Sequence, residues 1–166
     1  VTQIRQRMAR LADLDAIVAL GMQALEKSQT PGLVVRRDKL ERTARDCIRR
    51  QYLMAGPRTF AQVSFRADTN QVVAAVLADA VDSLFFEGGE VIVLQMYTVY
   101  PSAGLPLLRR LMRWARNDEW VRSVTFAPNT FDDGTAVVIA RLGAKAPALT
   151  LTWVREPHGQ VDRKSA

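Results

Sequence analysis

The chain has 166 residues, 48% hydrophobic and 24% charged, which fits one globular domain with a substantial core and excludes the disordered class. Its 23 basic against 17 acidic residues give a net charge of +6. That balance favours an anionic partner, whether nucleic acid, phosphorylated cofactor or acidic protein, without choosing among them.

Ile4 to Arg10 reads as a short strand leading to a helix start. Leu11, Leu14, Ile17, Val18 and Leu25 then recur at helical spacing, with Asp13 and Asp15 at the positive end of the dipole. Thr30-Pro31-Gly32 breaks this helix near Ser28. A second helix is expected over Asp38 to Tyr52, with Leu40, Ala44, Cys47, Ile48 and Tyr52 as its apolar stripe. Gly56-Pro57 stops it. Thr59 to Arg66 and Val72 to Ala80 follow as strands joined by a turn at Asp68-Thr69-Asn70, and Ser83 to Phe86 extends the ribbon towards a Gly88-Gly89 turn.

Val91 to Val99 is a long strand that exits at Pro101, which has no ladder donor. A Ser102-Ala103-Gly104 turn leads into a helix marked by Leu107, Leu108, Leu111, Met112 and Ala115, reaching about Asn117. Val121 to Ala127 is a strand, Thr135 to Leu142 a helix closed by Gly143, and Leu149 to Val154 the last strand. The order β-α-α-β-β-β-α-β-α-β predicts a mixed α/β (α+β) fold: one sheet covered by helices, a domain over residues 1–155 and a polar tail over 156–166.

Several chemistries are not expected. Cys47, the one cysteine, falls in a helical stripe and reads as a small buried residue; His158, the one histidine, lies in the tail. No zinc cluster and no nucleophilic triad is available to the core. No apolar run is long enough to span a bilayer, and no signal-type stretch follows Arg5, Arg7 and Arg10. A cytoplasmic protein with no membrane partner is the expectation. Arg42, Arg45 and Arg49 share one helix face, and Arg109, Arg113 and Arg116 another. Such stripes suit phosphates, but aromatics are not interleaved with them, so nucleic-acid binding rests on charge alone. Trp114, Trp120 and Trp153 read as core or interface anchors.

The strand–turn–helix at Leu94 to Arg116 is the informative stretch, because free amides at a helix N-terminus suit a phosphate. A strand ending in Val-x-Pro, a glycine turn and a Leu-Leu-rich helix resembles the acetyl-CoA-binding segment of the GNAT N-acetyltransferase superfamily. Val124 to Asn129 resembles that family's next strand with its terminal Asn, and Ala140-Arg-Leu-Gly-Ala144 its closing signature. Ile4 to Ile17 is similar to its first strand and helix.

The resemblance implies that Met96, Tyr97, Thr98 and Val99 pair with the pantetheine arm of acetyl-CoA. Ser102, Ala103 and Gly104 would hold the diphosphate, with Arg109 and Arg110 close by and Asn129 at the next strand end. The implied activity is acyl transfer to an amine, on a small molecule or a protein, by positioning and oxyanion stabilisation. Small degenerate chains of this kind also look like tailed-phage proteins, so the alternative is an inactive GNAT-like domain binding a protein assembly partner, for example inside a phage particle.

Three departures from the family pattern bear on activity. The glycine turn is shortened to Pro-Ser-Ala-Gly-Leu-Pro, with Pro106 expected in a first helical turn where its missing N–H is harmless. Ile139 stands where a proton-donating tyrosine is usual. No carboxylate lies within Val91 to Val99, leaving Glu90 and Glu87 at its start to act through water. Tyr97 and Tyr100 are the phenols able to replace the missing acid, and alternation turns one of them inward. The resemblance implies that acceptor choice falls to the loops at Ser28 to Val35 and Pro128 to Gly134, where Asp132 and Asp133 read first as helix-capping turn residues and second as a lure for an amine.

Overall fold

The computed structural model describes residues 3–27, 34–53, 58–84 and 87–126. They form β1 (Ile4–Met8), a 3-10 turn (Leu11–Asp13), α1 (Leu14–Lys27), α2 (Arg37–Arg50), β2 (Arg58–Arg66), β3 (Val72–Asp82), β4 (Gly89–Thr98), α3 (Pro101–Arg116) and β5 (Val121–Phe126). The expected helix at Thr135 to Leu142, the strand at Leu149 to Val154 and the tail lie outside the described residues.

The five strands stand in chain order. β1 to β4 are antiparallel, and β5 runs parallel to β4, which α3 makes possible by crossing between them. This is the mixed α/β architecture that the order of elements predicts. β3 is central and covered on both faces, so Val72 to Ala80 is buried throughout, with alanines at Ala74, Ala75, Ala78 and Ala80 letting helices approach.

On one face α1 and α2 bury Ile17, Val18, Leu40, Ala44, Cys47 and Ile48 against Val63, Leu77 and Tyr97. On the other, Ala103, Leu107, Leu108, Leu111 and Ala115 of α3 pack on Phe60, Val73, Val76, Val91, Val93 and Met96. Trp114 joins that second layer with its ring 5.4 Å from Phe60, and Trp120 lies under Arg58, so both act as core anchors. Cys47 is fully buried, and burial pushes its thiol up to about 11.

Two buried acids are held by arginines. Asp13 receives both guanidinium nitrogens of Arg7 and the backbone N–H of Arg10 at 2.8 Å, which ties β1 to the start of α1. Sequence reading gives Asp13 only a place at the positive end of the helix dipole; the structure buries it, with 6% exposed. Asp79 accepts from Arg50 at 2.6 Å and from the Thr59 hydroxyl at 2.9 Å, tying α2 to β2 and β3.

Two expectations need correction. Tyr52 does not belong to the apolar stripe of α2; it lies past the helix end, 53% exposed, and its hydroxyl donates to the Ala9 carbonyl at 2.8 Å. The helix after β4 starts at Pro101, not beyond a Ser102-Ala103-Gly104 turn. Tyr100 is extended and already provides the cap, and the fixed φ of Pro101 suits the first helical position. Pro106 therefore sits in the second turn, where the bond from residue 106 to the Ser102 carbonyl cannot form.

Candidate functional site

The site is built where β4 runs into α3, and β4 prepares it with a register shift. Ala78 pairs with Val93 and Leu77 with Gln95, so Leu94 is an extra residue, a β-bulge. Before the bulge, Val91 and Val93 face α3; after it, Met96 faces α3 and Tyr97 faces α1 and α2. Leu94 packs on the Tyr97 layer, and Gln95, directly opposite Leu77, shares that face.

β5 pairs with β4 only from Gly89 to Val93. Among the described residues, β4 from Leu94 to Thr98 has β3 as its one ladder partner, leaving its other edge open. Unpaired N–H and C=O groups on such an edge suit an extended ligand.

Tyr97 is 5% exposed, and burial alone pushes its hydroxyl well above the ordinary phenol range. Its ring fills the space over Gly21 and beside Leu40. Tyr100 points the other way, 39% exposed, with its hydroxyl by Arg66. Of the two phenols, Tyr97 is thus the inward one. Gln95 is 5% exposed, and its Oε1 has no hydrogen-bond partner among the described residues.

The N-terminus of α3 is more occupied than the sequence suggests. The Tyr100 carbonyl accepts the N–H of Ala103 at 3.0 Å, that of Gly104 at 3.4 Å, and the Thr98 hydroxyl. Ala103 is fully buried, and its carbonyl receives Ser64 Oγ at 2.8 Å. Gly104 serves packing: a β-carbon there would stand 3.1 Å from Thr98 Cβ. Pro101 has no N–H, so Ser102, exposed in the first turn, offers the uncommitted amide together with its hydroxyl.

Arg109 and Arg110 do not flank this end. They lie in the third turn of α3, about 12 Å along the axis from Pro101, and Arg110 donates to Gln62 at 3.0 Å. Glu90 is also apart from the site, about 20 Å down β4 from Tyr97, with the Thr125 hydroxyl bonded to its carboxylate. Glu87 lies before the strand begins. The structure therefore gathers Met96, Tyr97, Thr98, Val99, Ser102, Ala103 and Gly104, and leaves Glu90, Arg109 and Arg110 outside. Asn129, Ile139, Asp132, Asp133, Trp153 and His158 fall outside the described residues. Gln95 is the residue that sequence reading missed, although an amide inside so apolar a strand is a legible signal.

Solved structures share this architecture. A "possible acetyltransferase" from Clostridium difficile 630 superposes at TM-score 0.63 with 17% identity, covering 93% of this chain and 99% of its own. A "predicted acetyltransferase with acetyl-CoA" from Clostridium acetobutylicum matches at TM-score 0.65 and 15% identity, over 93% and 96% of the two chains. The chain has the GNAT acetyltransferase fold. Glucosamine-6-phosphate N-acetyltransferase from Arabidopsis thaliana is a further GNAT-fold match, at TM-score 0.65 and 12% identity over 93% and 99%. No protein-family profile matches the sequence, and no curated protein does. No helix among the described residues of this GNAT fold is long and apolar enough to cross a membrane.

Proposed function

We propose that this chain transfers an acetyl group from acetyl-CoA to an amine. The observation that carries the reading is the edge of β4 from Leu94 to Thr98, open among the described residues, which leads into the N-terminus of α3. The acetyl-CoA complex among the similar structures supports the same ligand here. The residues fit its two ends unequally. The strand edge at Met96, Tyr97, Thr98 and Val99 suits the amide-bearing pantetheine arm, whereas the diphosphate is offered one free amide, the Ser102 hydroxyl and the helix dipole.

Bound acetyl-CoA would supply an activated acyl group as a thioester. The β4 backbone would orient that arm, and α1 with α2 would keep water from the Tyr97 face. Tyr97 would hold a proton at its Oη for the departing sulfur; burial keeps that phenol protonated while making it a weaker acid than a free tyrosine.

Calorimetry with acetyl-CoA, followed by thiol-release assays, tests the reading. Stoichiometric binding is expected, and S-acetylpantetheine should replace acetyl-CoA with less than about a tenfold loss in kcat/KM, because the diphosphate has few partners. Absence of both binding and thermal shift at millimolar acetyl-CoA would remove the enzyme reading and leave a GNAT-fold binding or assembly protein.

A further inference from the structure

Gln95 carries chemistry that the fold does not use. Buried polar side chains are normally hydrogen-bonded, since an unpartnered one costs stability without return. Gln95 is 5% exposed, its Oε1 is unpartnered among the described residues, and the bulge at Leu94 turns it onto the Tyr97 face. An apolar residue of equal size would fill the same space more stably. No described residue supplies its partner, and a donor brought by a ligand would.

The charge around Gln95 says which donor. The acids on the surrounding elements are committed elsewhere: Asp13 to Arg7, Asp79 to Arg50, Glu41 to Arg45 and Asp38 to Arg36. Asp15, Glu26 and Asp46 lie on exposed helix faces, and the Glu90 carboxylate, at the far end of β4, accepts from Thr125. Among the described residues, nothing beside Gln95 neutralises an ammonium ion or takes its proton. A carboxamide oxygen accepts an N–H without removing a proton. Burying a cation against it would be costly, whereas a neutral N–H satisfies it.

We propose that Gln95 selects the acyl acceptor, binding an amine that is already neutral at physiological pH, of the arylamine or hydrazide class, through Oε1. The inference rests on the acetyl-transfer reading above. The nitrogen lone pair attacks the thioester carbon, the carbon–nitrogen bond forms as the carbon–sulfur bond breaks, and the proton lost by nitrogen ends on sulfur. Gln95 holds the nitrogen's second hydrogen and is a positioning residue for the attack.

The test compares 4-methylaniline with 4-methylbenzylamine, near isosteres of very different basicity, at pH 7 with acetyl-CoA. The wild type should favour the aniline by at least tenfold in kcat/KM. Gln95→Leu should lose at least tenfold on the aniline while acetyl-CoA affinity stays unchanged and the melting temperature holds or rises. A structural glutamine would instead lower the melting temperature on that substitution. Gln95→Glu should narrow the preference towards the benzylamine. Equal or greater use of the benzylamine by the wild type, a melting temperature that falls in Gln95→Leu, or acetyl-CoA binding with no transfer to the aniline overturns the assignment. Those results leave the cofactor reading standing; absent acetyl-CoA binding removes both.

Discussion

Gly21 and Tyr97 share one van der Waals space: a β-carbon on Gly21 would stand 2.8 Å from Cε2 of the Tyr97 ring and 2.7 Å from Leu40 Cδ2. The helix thus gives up a side chain so that the phenol can lie flat beneath it. Gly21→Ala would gain about 1 kcal/mol of helix propensity. The clash with a ring and a buried leucine costs more, about 1–3 kcal/mol as in other overpacked cores. Net destabilisation is expected in urea melts, and a more stable variant would show that α1 can move off the ring.

Tyr97→Phe separates the hydroxyl from the ring. The ring packs and the hydroxyl is given no protein partner among the described residues, so stability should change by less than about 0.5 kcal/mol. In the proposed role of proton donor to the leaving sulfur, its loss should lower kcat by about 100-fold or more with KM nearly unchanged. Steady-state kinetics on the folded variant decide it; an unchanged kcat assigns Tyr97 to packing alone.

Ser102→Glu should move two properties in opposite directions. A carboxylate in the first turn of α3 stabilises the helix dipole by about 0.3–1 kcal/mol, so the melting temperature should hold or rise. The same charge repels a diphosphate, and acetyl-CoA affinity should fall at least tenfold, which calorimetry would read. Unchanged affinity would place the diphosphate elsewhere.

Asp13 predicts a pH dependence of stability. Burial pushes its carboxyl up, but the hydrogen bonds from Arg7 and the Arg10 N–H outweigh it, and the net shift is downward. Its stabilising effect is therefore present above the unfolded carboxylate range near pH 4 and is lost as pH falls through the lower folded value. Urea melts of wild type and Asp13→Asn from pH 7 to pH 2 should differ most at the high end and converge at the low end. Parallel curves would show that the carboxylate charge is not what Arg7 requires.

Periodicity and turn residues made the described elements legible, because the described helices carry one apolar stripe each and the central strands run apolar where helices cover both faces of the sheet. The errors are local and physical. Pro101 is both the exit from the strand and the first residue of the helix, so the turn expected at Ser102-Ala103-Gly104 is a packed helical turn. Gly104 looked like a place for phosphate, but its open side is taken by Thr98, a contact across the strand–helix corner that no linear pattern shows. Glu90 is near Tyr97 in sequence, yet an extended strand carries it far away. Gln95 needed the register of β4 on β3 before its face could be known.

The extra residue at Leu94 makes β4 two half-strands with opposite parity, odd positions facing α3 below it and even positions above. Before it the even positions are only half-buried; after it Gln95, Met96 and Tyr97 are buried in succession, and neither parity is left tolerant. Removing Leu94 would restore regular alternation without turning the far half over: Gln95, Met96 and Tyr97 would stay opposite Leu77, Val76 and Ala75, on the faces they hold now. The extra residue is thus not what points the site residues: it bends β4 at the position where its pairing with β5 ends, and a single-codon deletion would remove that bend while keeping the site's faces.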